Sequence, residues 1–173
     1  TSYVVVGSEP GSKYDKAKVL GVEPSSNVAL RAVRKGFPTI SDFFSKRLAS
    51  AIRREYGKAR MIMGNNCIAH IDDLNGVMEG VKELLEHDGL FVIECNYWGA
   101  MVKNKNYALI YHDHYSYFSL GVWIEYASKW GMKVIDAYVT PAQGGSLRMY
   151  IKNTTNAIMS ERAKELLAEE TKN

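Results

Sequence analysis

KVIDAYVTPAQGGSLRMYIK, residues 133–152, determines how the predicted sheet ends. Residues 133–139 and 146–152 are apolar runs of strand length, and the proline and glycines between them are typical of a turn. No helical pattern separates the two runs. A parallel connection needs a crossover of about a dozen residues or more, so we expect these strands to pair antiparallel.

Upstream of this hairpin, strand runs alternate with helical patterns. Apolar runs predict strands at 3–6, 18–22, 39–40, 59–63 and 90–94. Helical spacing and end signals predict helices over 27–35, 45–56, from Asp72 or Asp73 to Asp88-Gly89, from Ser119 to Gly131, and over 160–170. The order predicts an α/β fold, with a doubly wound, mainly parallel sheet and an antiparallel C-terminal hairpin. It resembles the Rossmann-like class I methyltransferase fold, here as a domain over 1–153 with a helical tail over 154–173.

Composition excludes several classes of partner. The net charge of +3 over 173 residues is mild, and no dense basic run predicts nucleic-acid binding. No apolar run approaches the length that spans a membrane, and the start lacks the pattern of a signal peptide. Cys67 and Cys95 form no metal-binding pair, which favours reduced thiols and a cytoplasmic protein. A homodimer would cover the aromatic side chains Tyr97, Trp98 and Tyr107.

Glycines and an acid follow the first two predicted strands. Gly7, Ser8 and Gly11 form a turn that lets a ligand approach the backbone closely, although an ordinary tight turn explains them about as well. Glu23 ends the second strand and is followed by Pro24. An acid there commonly binds the hydroxyls of a ribose, and the alternative is a solvated loop carboxylate.

Two further candidate sites lie after later strands. Asp42 and Phe43 could hold an adenine by a hydrogen bond and a ring contact, unless the aromatic residue belongs to the core. Asn65 and Asn66 end the fourth strand, where a binding loop would lie. Asparagine also suits turns, so this pair has a structural explanation as well.

Residues 111–119, YHDHYSYFS, concentrate acid–base groups. Histidine titrates near neutral pH, and tyrosine can donate to a developing oxyanion. If the segment is extended, His112 and His114 project together; if it forms a turn, His114 and Tyr111 converge instead. His70 falls at the mouth of the same predicted cleft, although a single histidine near a helix start is more often structural.

Gly144, Gly145 and Arg148 open the last strand. A glycine pair with an arginine suits an anionic or sugar ligand, and a hairpin turn with a surface arginine is an equal alternative.

The chain resembles a known family through segments that occur in one order. The sugar C-methyltransferases that act on nucleotide-linked 4-keto deoxysugars are similar over most of residues 4–152. The segments are GVEPSSNVA (21–29), NNCIAHI (65–71), DGLFVIE (88–94), IYHDHYSYFS (110–119) and GGSLR (144–148). Relatives of this kind also carry a zinc-binding domain before this region and another domain after it.

This resemblance implies S-adenosylmethionine as cofactor and a nucleotide-linked sugar as substrate. Relative to the cofactor, it places Gly7, Ser8 and Gly11 at the methionine part, Glu23 with Pro24 at the ribose, Asp42 and Phe43 at the adenine, and Asn65 with Asn66 near the sulfonium. It places His112, Ser119, Gly144, Gly145 and Arg148 on the substrate side. It implies no metal in this segment.

The resemblance matches His114 to the family's base, and Tyr111, Asp113 and His70 to its partners. A C–H beside a ketone is acidic because the enolate spreads charge onto oxygen. We therefore hypothesise that His114 removes the proton, Asp113 orients it, and Tyr111 or His70 donates to the oxygen.

Two other functions compete with this hypothesis. The segment from Val5 to Gly11 departs from the family's pattern, with Val5 in place of an acid and Glu9-Pro10 in place of Asn-Asp. This departure favours a non-catalytic sugar-nucleotide-binding module that has lost its cofactor loop. His112 and His114, with His70 or Asp113, could instead bind a metal in a different enzyme class.

Overall fold

The computed structural model describes residues 2–6 and 18–172, with side chains from residue 19 onward. The described chain forms two compact units. The first comprises the residues up to 64 together with 73–91, and the second comprises 65–72 and 92–172. The predicted tail therefore lies in the second unit, and Gly7, Ser8 and Gly11 lie outside the described residues.

The first unit contains a sheet in the order β3-β2-β1-β4-β5. Its strands are β1 (Ser2–Val6), β2 (Lys18–Val22), β3 (Thr39–Ile40), β4 (Ala59–Asn65) and β5 (Leu85–Asn96), which continues into the second unit. Its helices are α1 (Ser26–Arg34), α2 (Lys46–Tyr56) and α3 (Leu74–Leu84). The bounds of β2 and β3 are those that the sequence predicted.

The first strand runs opposite to its neighbours. β1 pairs antiparallel with both β2 and β4, whereas β2 pairs parallel with β3. Val6 therefore pairs with Lys18, at the end of β2 opposite to Glu23. Only residues 7–17 connect the two strands in the sequence. A parallel crossover needs about a dozen residues or more, whereas an antiparallel pair needs only a hairpin.

Helices α2 and α3 each begin at a capping residue and approach each other closely at one glycine. Ser45 and Asp73 cap them by accepting the backbone N–H groups of Leu48 and Gly76, respectively. Gly80 lies within α3, where an added Cβ would stand 2.9 Å from Phe44 and 3.0 Å from the backbone carbonyl carbon of Ser45. These two helices have 11 residues each, and no described helix is both long and apolar enough to cross a membrane.

Strand β5 begins earlier than the sequence suggested. Leu85 already has extended backbone angles, φ −75° and ψ 139°, so α3 ends at Leu84. Asp88 and Gly89 lie within the strand and do not terminate the helix. The strand also continues past Glu94 to Asn96, which carries two more side chains to its carboxyl end.

The second unit contains the carboxyl end of β5, followed in the sheet by β7 and β6. β6 (Lys133–Thr140) and β7 (Ser146–Lys152) pair antiparallel from Lys133 opposite Lys152 to Thr140 opposite Ser146. This confirms the predicted hairpin. The helices of the unit are α4 (Trp98–Lys103), α5 (Leu120–Lys129) and α6 (Glu161–Glu170).

The last helix caps the one before it. The two carboxylate oxygens of Glu170 accept the backbone N–H groups of Leu120 and Gly121, each at 2.8 Å, at the start of α5. A carboxylate is favoured there by the unpaired N–H groups and the helix dipole. Tyr97, just after β5, donates its hydroxyl to the same carboxylate at 3.0 Å. Burial and then Glu170 raise the pKa of Tyr97, so this hydroxyl remains a donor.

We expect Gly80→Ala to lower the free energy of unfolding by about 1–3 kcal/mol, because the new methyl group overpacks the contact between α2 and α3. Urea unfolding measures this change. Glu79→Ala is the matched control, since its ion pair with Lys46 at 3.5 Å is exposed and contributes little. Helix propensity alone predicts the opposite sign, a gain of about 1 kcal/mol for Gly80→Ala, and such a gain would contradict the packing argument.

Candidate functional site

The acid–base segment folds as a turn. The backbone N–H of His114 donates to the carbonyl of Tyr111 at 3.3 Å. The hydroxyl of Tyr117 accepts the N–H of Tyr111 at 2.8 Å and donates to the carbonyl of Leu109 at 3.3 Å. Of the two conformations left open by the sequence, the turn is therefore the one observed, and Tyr117 holds it.

The turn brings aromatic rings around His114. Its ring centroid lies 5.1 Å from that of Tyr111 and 5.4 Å from that of Tyr117. The ring of His70 meets it edge to face at 4.5 Å. His112, by contrast, is exposed, and none of the described ring contacts joins it to this cluster.

His70 reaches this cluster from a short 3-10 turn, Ile68–His70. The carbonyl of Ala69 in that turn accepts the N–H of Tyr115 at 2.8 Å, which ties the two segments together. Nδ1 of His70 lies 3.1 Å from the backbone oxygen of Asp113 and 3.4 Å from its carboxylate. The contact of Asp113 is thus with His70, whereas the sequence hypothesis had it orient His114.

These side chains line a pocket of about 490 Å³ in the second unit. His70, Tyr111, Asp113 and His114 all contribute to its wall, as does Asn66. Asn66 follows β4 with a left-handed φ of 53°, and its N–H donates to the carbonyl of Glu94 at 2.8 Å. The pocket therefore adjoins the carboxyl end of β5, the edge where open α/β sheets bind ligands.

The surroundings of His114 favour its neutral form. Burial lowers the pKa of His114, the nearby charge of His70 lowers it further, and Asp113 opposes the shift. Nδ1 of His114 is buried, and no described residue hydrogen-bonds it. A neutral imidazole with a nitrogen that the protein leaves unpaired can accept a proton at neutral pH.

Two pocket residues at the end of β5 were missed by the sequence analysis, because the predicted strand stopped at Glu94. Burial raises the pKa of the Cys95 thiol to about 12, so it stays protonated and is a poor nucleophile. Asn96 is buried, and its side-chain nitrogen has no hydrogen-bond partner among the described residues. The continuous apolar run over residues 90–93 gave no signal for either residue.

A metal could be held by part of the same cluster. One ligand atom each from His70, Asp113 and His114 lies within 4.8 Å of the others. His112 is not in this group, so the metal pair suggested by the sequence, His112 with His114, is not formed among the described residues. The site residues that the sequence proposed as catalytic are the ones the structure brings together.

The predicted substrate-side residues have structural tasks of their own. Ser119 caps α5 by accepting the N–H of Val122 at 3.4 Å. Gly144 and Gly145 have φ values of 77° and 128°, and a Cβ on Gly145 would stand 2.5 Å from that of Ala100. Glycine is therefore strongly favoured at positions 144 and 145.

Arg148 forms an ion pair within the sheet. Its guanidinium lies 2.6 Å from the carboxylate of Glu94, whose side chain is 6% exposed. Tyr138 and then Glu94 raise the pKa of Arg148 against the effect of burial. A substrate anion at Arg148 would share the guanidinium with this carboxylate.

The predicted cofactor residues are divided between the units. In the first unit, Glu23 follows β2, is 8% exposed, and accepts the N–H of Ser25 at 2.9 Å, while Pro24 is exposed. The backbone N–H of Glu23 donates to Ile40, so the ends of β2 and β3 meet there. Asp42 accepts the N–H of Phe43 at 2.8 Å and pairs with Arg47 at 2.5 Å.

Phe43 is 74% exposed, so its ring is available to a ligand and is not part of the core. Asn65 and Asn66 belong to the second unit. The partly exposed carboxylate of Asp42, after β3, provides an acceptor for an amine. The buried carboxylate of Glu23, after β2, provides an acceptor for hydroxyl groups. These residues therefore suit the adenosine part of a nucleoside cofactor.

Comparison with solved structures identifies the architecture. The TM-score is 0.58 to a putative sarcosine dimethylglycine methyltransferase from Galdieria sulphuraria, with 12% identity over 78% of this chain and 69% of that chain. This is the class I methyltransferase fold. It is shared at a TM-score of 0.55 by the magnesium protoporphyrin IX methyltransferase of Synechocystis, solved with bound SAH, at 11% identity over 78% of this chain and 63% of that one.

A sequence relative adds a closer likeness. The chain is 37% identical over 133 residues to C-methyltransferase NovU of Streptomyces niveus, which is 77% of this chain and 32% of that protein. The chain thus spans about a third of the length of this curated relative. No protein-family model matches the chain.

We expect a titration followed by NMR to place the pKa of His114 below the ordinary value of about 6.5. His70→Gln removes a neighbouring positive charge and should raise that pKa, whereas Asp113→Asn removes a stabilising negative charge and should lower it further. His87→Gln, on the exposed part of β5, is the control and should leave it unchanged. Shifts of the same sign in both test variants would contradict this electrostatic arrangement.

Proposed function

We propose that this protein is an S-adenosylmethionine-dependent methyltransferase that methylates a carbon of a nucleotide-linked keto sugar through an enolate. The observation that carries the proposal is the convergence of His70, Tyr111 and His114 on one pocket at the carboxyl end of β5. The likeness to a C-methyltransferase supports carbon as the methylated atom. The keto sugar follows from the resemblance of the same segments to sugar C-methyltransferases.

The side chains of the pocket suit proton removal beside a carbonyl. In the proposed reaction the neutral imidazole of His114 takes the proton from the carbon next to the ketone. The ring of Tyr111 packs edge to face against that imidazole at 5.1 Å. Asp113, through its contact with His70 at 3.4 Å, holds the second histidine beside it. The electron pair of the broken C–H bond moves onto the ketone oxygen as the enolate.

The cofactor, when bound, supplies an electrophilic methyl group to this carbon. Glu23 would hold the ribose hydroxyls and Asp42 the adenine amine, with Phe43 against the base. Glu23 is suited to this because its carboxylate lies at the end of β2, and a carboxylate accepts hydrogen bonds from hydroxyl groups. Asn65 and Asn66 would contact the cofactor near the sulfonium. Roles for Gly7, Ser8 and Gly11, and for His112, Ser119, Gly144, Gly145 and Arg148 at the sugar nucleotide, remain part of this proposal.

A non-catalytic sugar-nucleotide-binding module is the second candidate. The antiparallel direction of β1 favours this candidate. Val6, the last residue before the glycine segment, pairs with Lys18 at the start of β2, whereas Glu23 follows the end of β2. The two candidates differ in cofactor binding and in turnover, so one set of measurements separates them.

We expect His114→Gln to lower kcat for methyl transfer by about a hundredfold or more, because a general base contributes about 10²–10⁴-fold. The assay follows the transfer of labelled methyl from S-adenosylmethionine to nucleotide-linked 4-keto deoxysugars. Exchange of the hydrogen beside the ketone with deuterated water should fall by the same factor. His87→Gln should retain full activity, and full activity in His114→Gln would exclude His114 as the base.

We expect S-adenosylhomocysteine to bind the protein. Glu23→Gln should raise the Kd about 10–100-fold, because a charged hydrogen bond to ribose contributes about 1.5–3 kcal/mol. Calorimetric titration measures both constants. Glu55→Gln, on the exposed face of α2, is the matched control. Sugar-nucleotide binding without any S-adenosylhomocysteine binding would favour the non-catalytic module.

A further inference from the structure

Asn96 places a polar group in the pocket that no assigned role explains. It ends β5, is 4% exposed, and lines the pocket together with Tyr111 and His114. Its side-chain nitrogen is buried and has no hydrogen-bond partner among the described residues. Asn96 is thus a buried amide donor at a ligand-sized cavity.

An unpaired buried amide is costly to a fold. Native proteins pair the large majority of buried polar atoms, and leaving one unpaired costs about 1–3 kcal/mol. Its neighbours in the chain, Cys95 and Tyr97, are buried as well, and no described residue accepts the amide N–H. A bound molecule with an acceptor oxygen would satisfy the group.

A second unpaired atom lies at the same cavity. Nδ1 of His114 is buried and has no described partner, and the environment of the ring favours the neutral imidazole. The pocket therefore offers an N–H donor for an oxygen and a base for a proton. A ketone with a hydrogen on the adjacent carbon matches both groups at once.

The other candidate donors are less well placed. Tyr111 is 45% exposed, and the His70 side chain is 43% exposed and already contacts Asp113. A donor stabilises a developing oxyanion more strongly when it is held rigidly away from water. Burial therefore favours Asn96 over both residues that the sequence suggested for this task.

We propose that Asn96 donates its side-chain N–H to the ketone oxygen of the substrate and stabilises the enolate. The proposal rests on the proposed function. His114 takes the proton as the C–H bond breaks, and the electron pair delocalises onto the oxygen that Asn96 holds. The pair then forms the new carbon–methyl bond as the bond from sulfur to methyl breaks, which leaves a neutral thioether. The proton on His114 is released to water.

Asn96→Leu and Asn96→Asp test this role. Leucine is similar in size and removes the unpaired donor, so the free energy of unfolding should stay equal or rise, while kcat should fall about 10²–10³-fold with KM changed only a few-fold. Aspartate keeps the shape, replaces the donor by an acceptor, and should lower kcat at least as much. Asn156→Leu, exposed and outside the pocket, is the matched control.

Infrared spectra of a bound 4-keto deoxysugar nucleotide, carbon-13 labelled at the ketone, give a second readout with S-adenosylhomocysteine present. The wild-type protein should shift the carbonyl stretch to lower frequency, and Asn96→Leu should reverse that shift. If Asn96→Leu and Asn96→Asp both keep the wild-type kcat, or if Asn96→Leu leaves the carbonyl frequency as it is in the wild-type protein, the role of Asn96 is overturned. The methyltransferase function would be unaffected by either result. Absence of methyl transfer by the wild-type protein would overturn the proposed function. The carbonyl frequency alone would then show whether Asn96 donates a hydrogen bond to the ketone. Absence of any binding of the ketone would overturn both.

Discussion

Backbone hydrogen bonds at the carboxyl end of β5 hold the loops from which the pocket is built. Three neighbouring loops each bond either to Glu94 in this strand or to the two residues that follow the strand. The bonds are from Asn66 to Glu94 at 2.8 Å, from Tyr97 to Gly145 at 3.2 Å, and from Trp98 to Phe118 at 2.9 Å. Because the apolar residues of the strand are buried in the core, the end of the strand is held in place. The hydrogen bonds to this end position the loops in turn. Side chains that belong to distant parts of the sequence consequently meet at one cavity.

Local patterns in the sequence predicted much of the fold. The bounds of β2, β3 and β7 were correct because proline, glycine or capping residues flank each apolar run, and the antiparallel hairpin followed from the absence of a helix between its strands. The direction of β1 was not predicted, although the short connection over residues 7–17 favours an antiparallel pair. The start of β5 was also missed, since Leu85 continues the apolar spacing of α3 and only its backbone angles separate strand from helix.

The candidate site was predictable in its composition and not in its contacts. His70, Tyr111, Asp113 and His114 were named from their chemistry, but the pairing of Asp113 with His70 required the turn at Tyr111. Asn96 and Tyr117 escaped notice because an amide in a strand and one more tyrosine are unremarkable until their neighbours in space are known. The glycine pair at 144–145 has a steric explanation, and its predicted contact with substrate stays a prediction, as do the roles of the cofactor residues.

The carboxylate of Glu170 links parts of the chain that are far apart in sequence. It caps α5 from 50 residues away and accepts the hydroxyl of Tyr97 from 73 residues away, next to the strand end that carries Asn96. Contacts of such long range form late, since the entropy of closing the intervening loop is lost before they form. On a growing chain, the capping of α5 by Glu170 and the contact of Glu170 with Tyr97 can therefore form only after α6 has been synthesised.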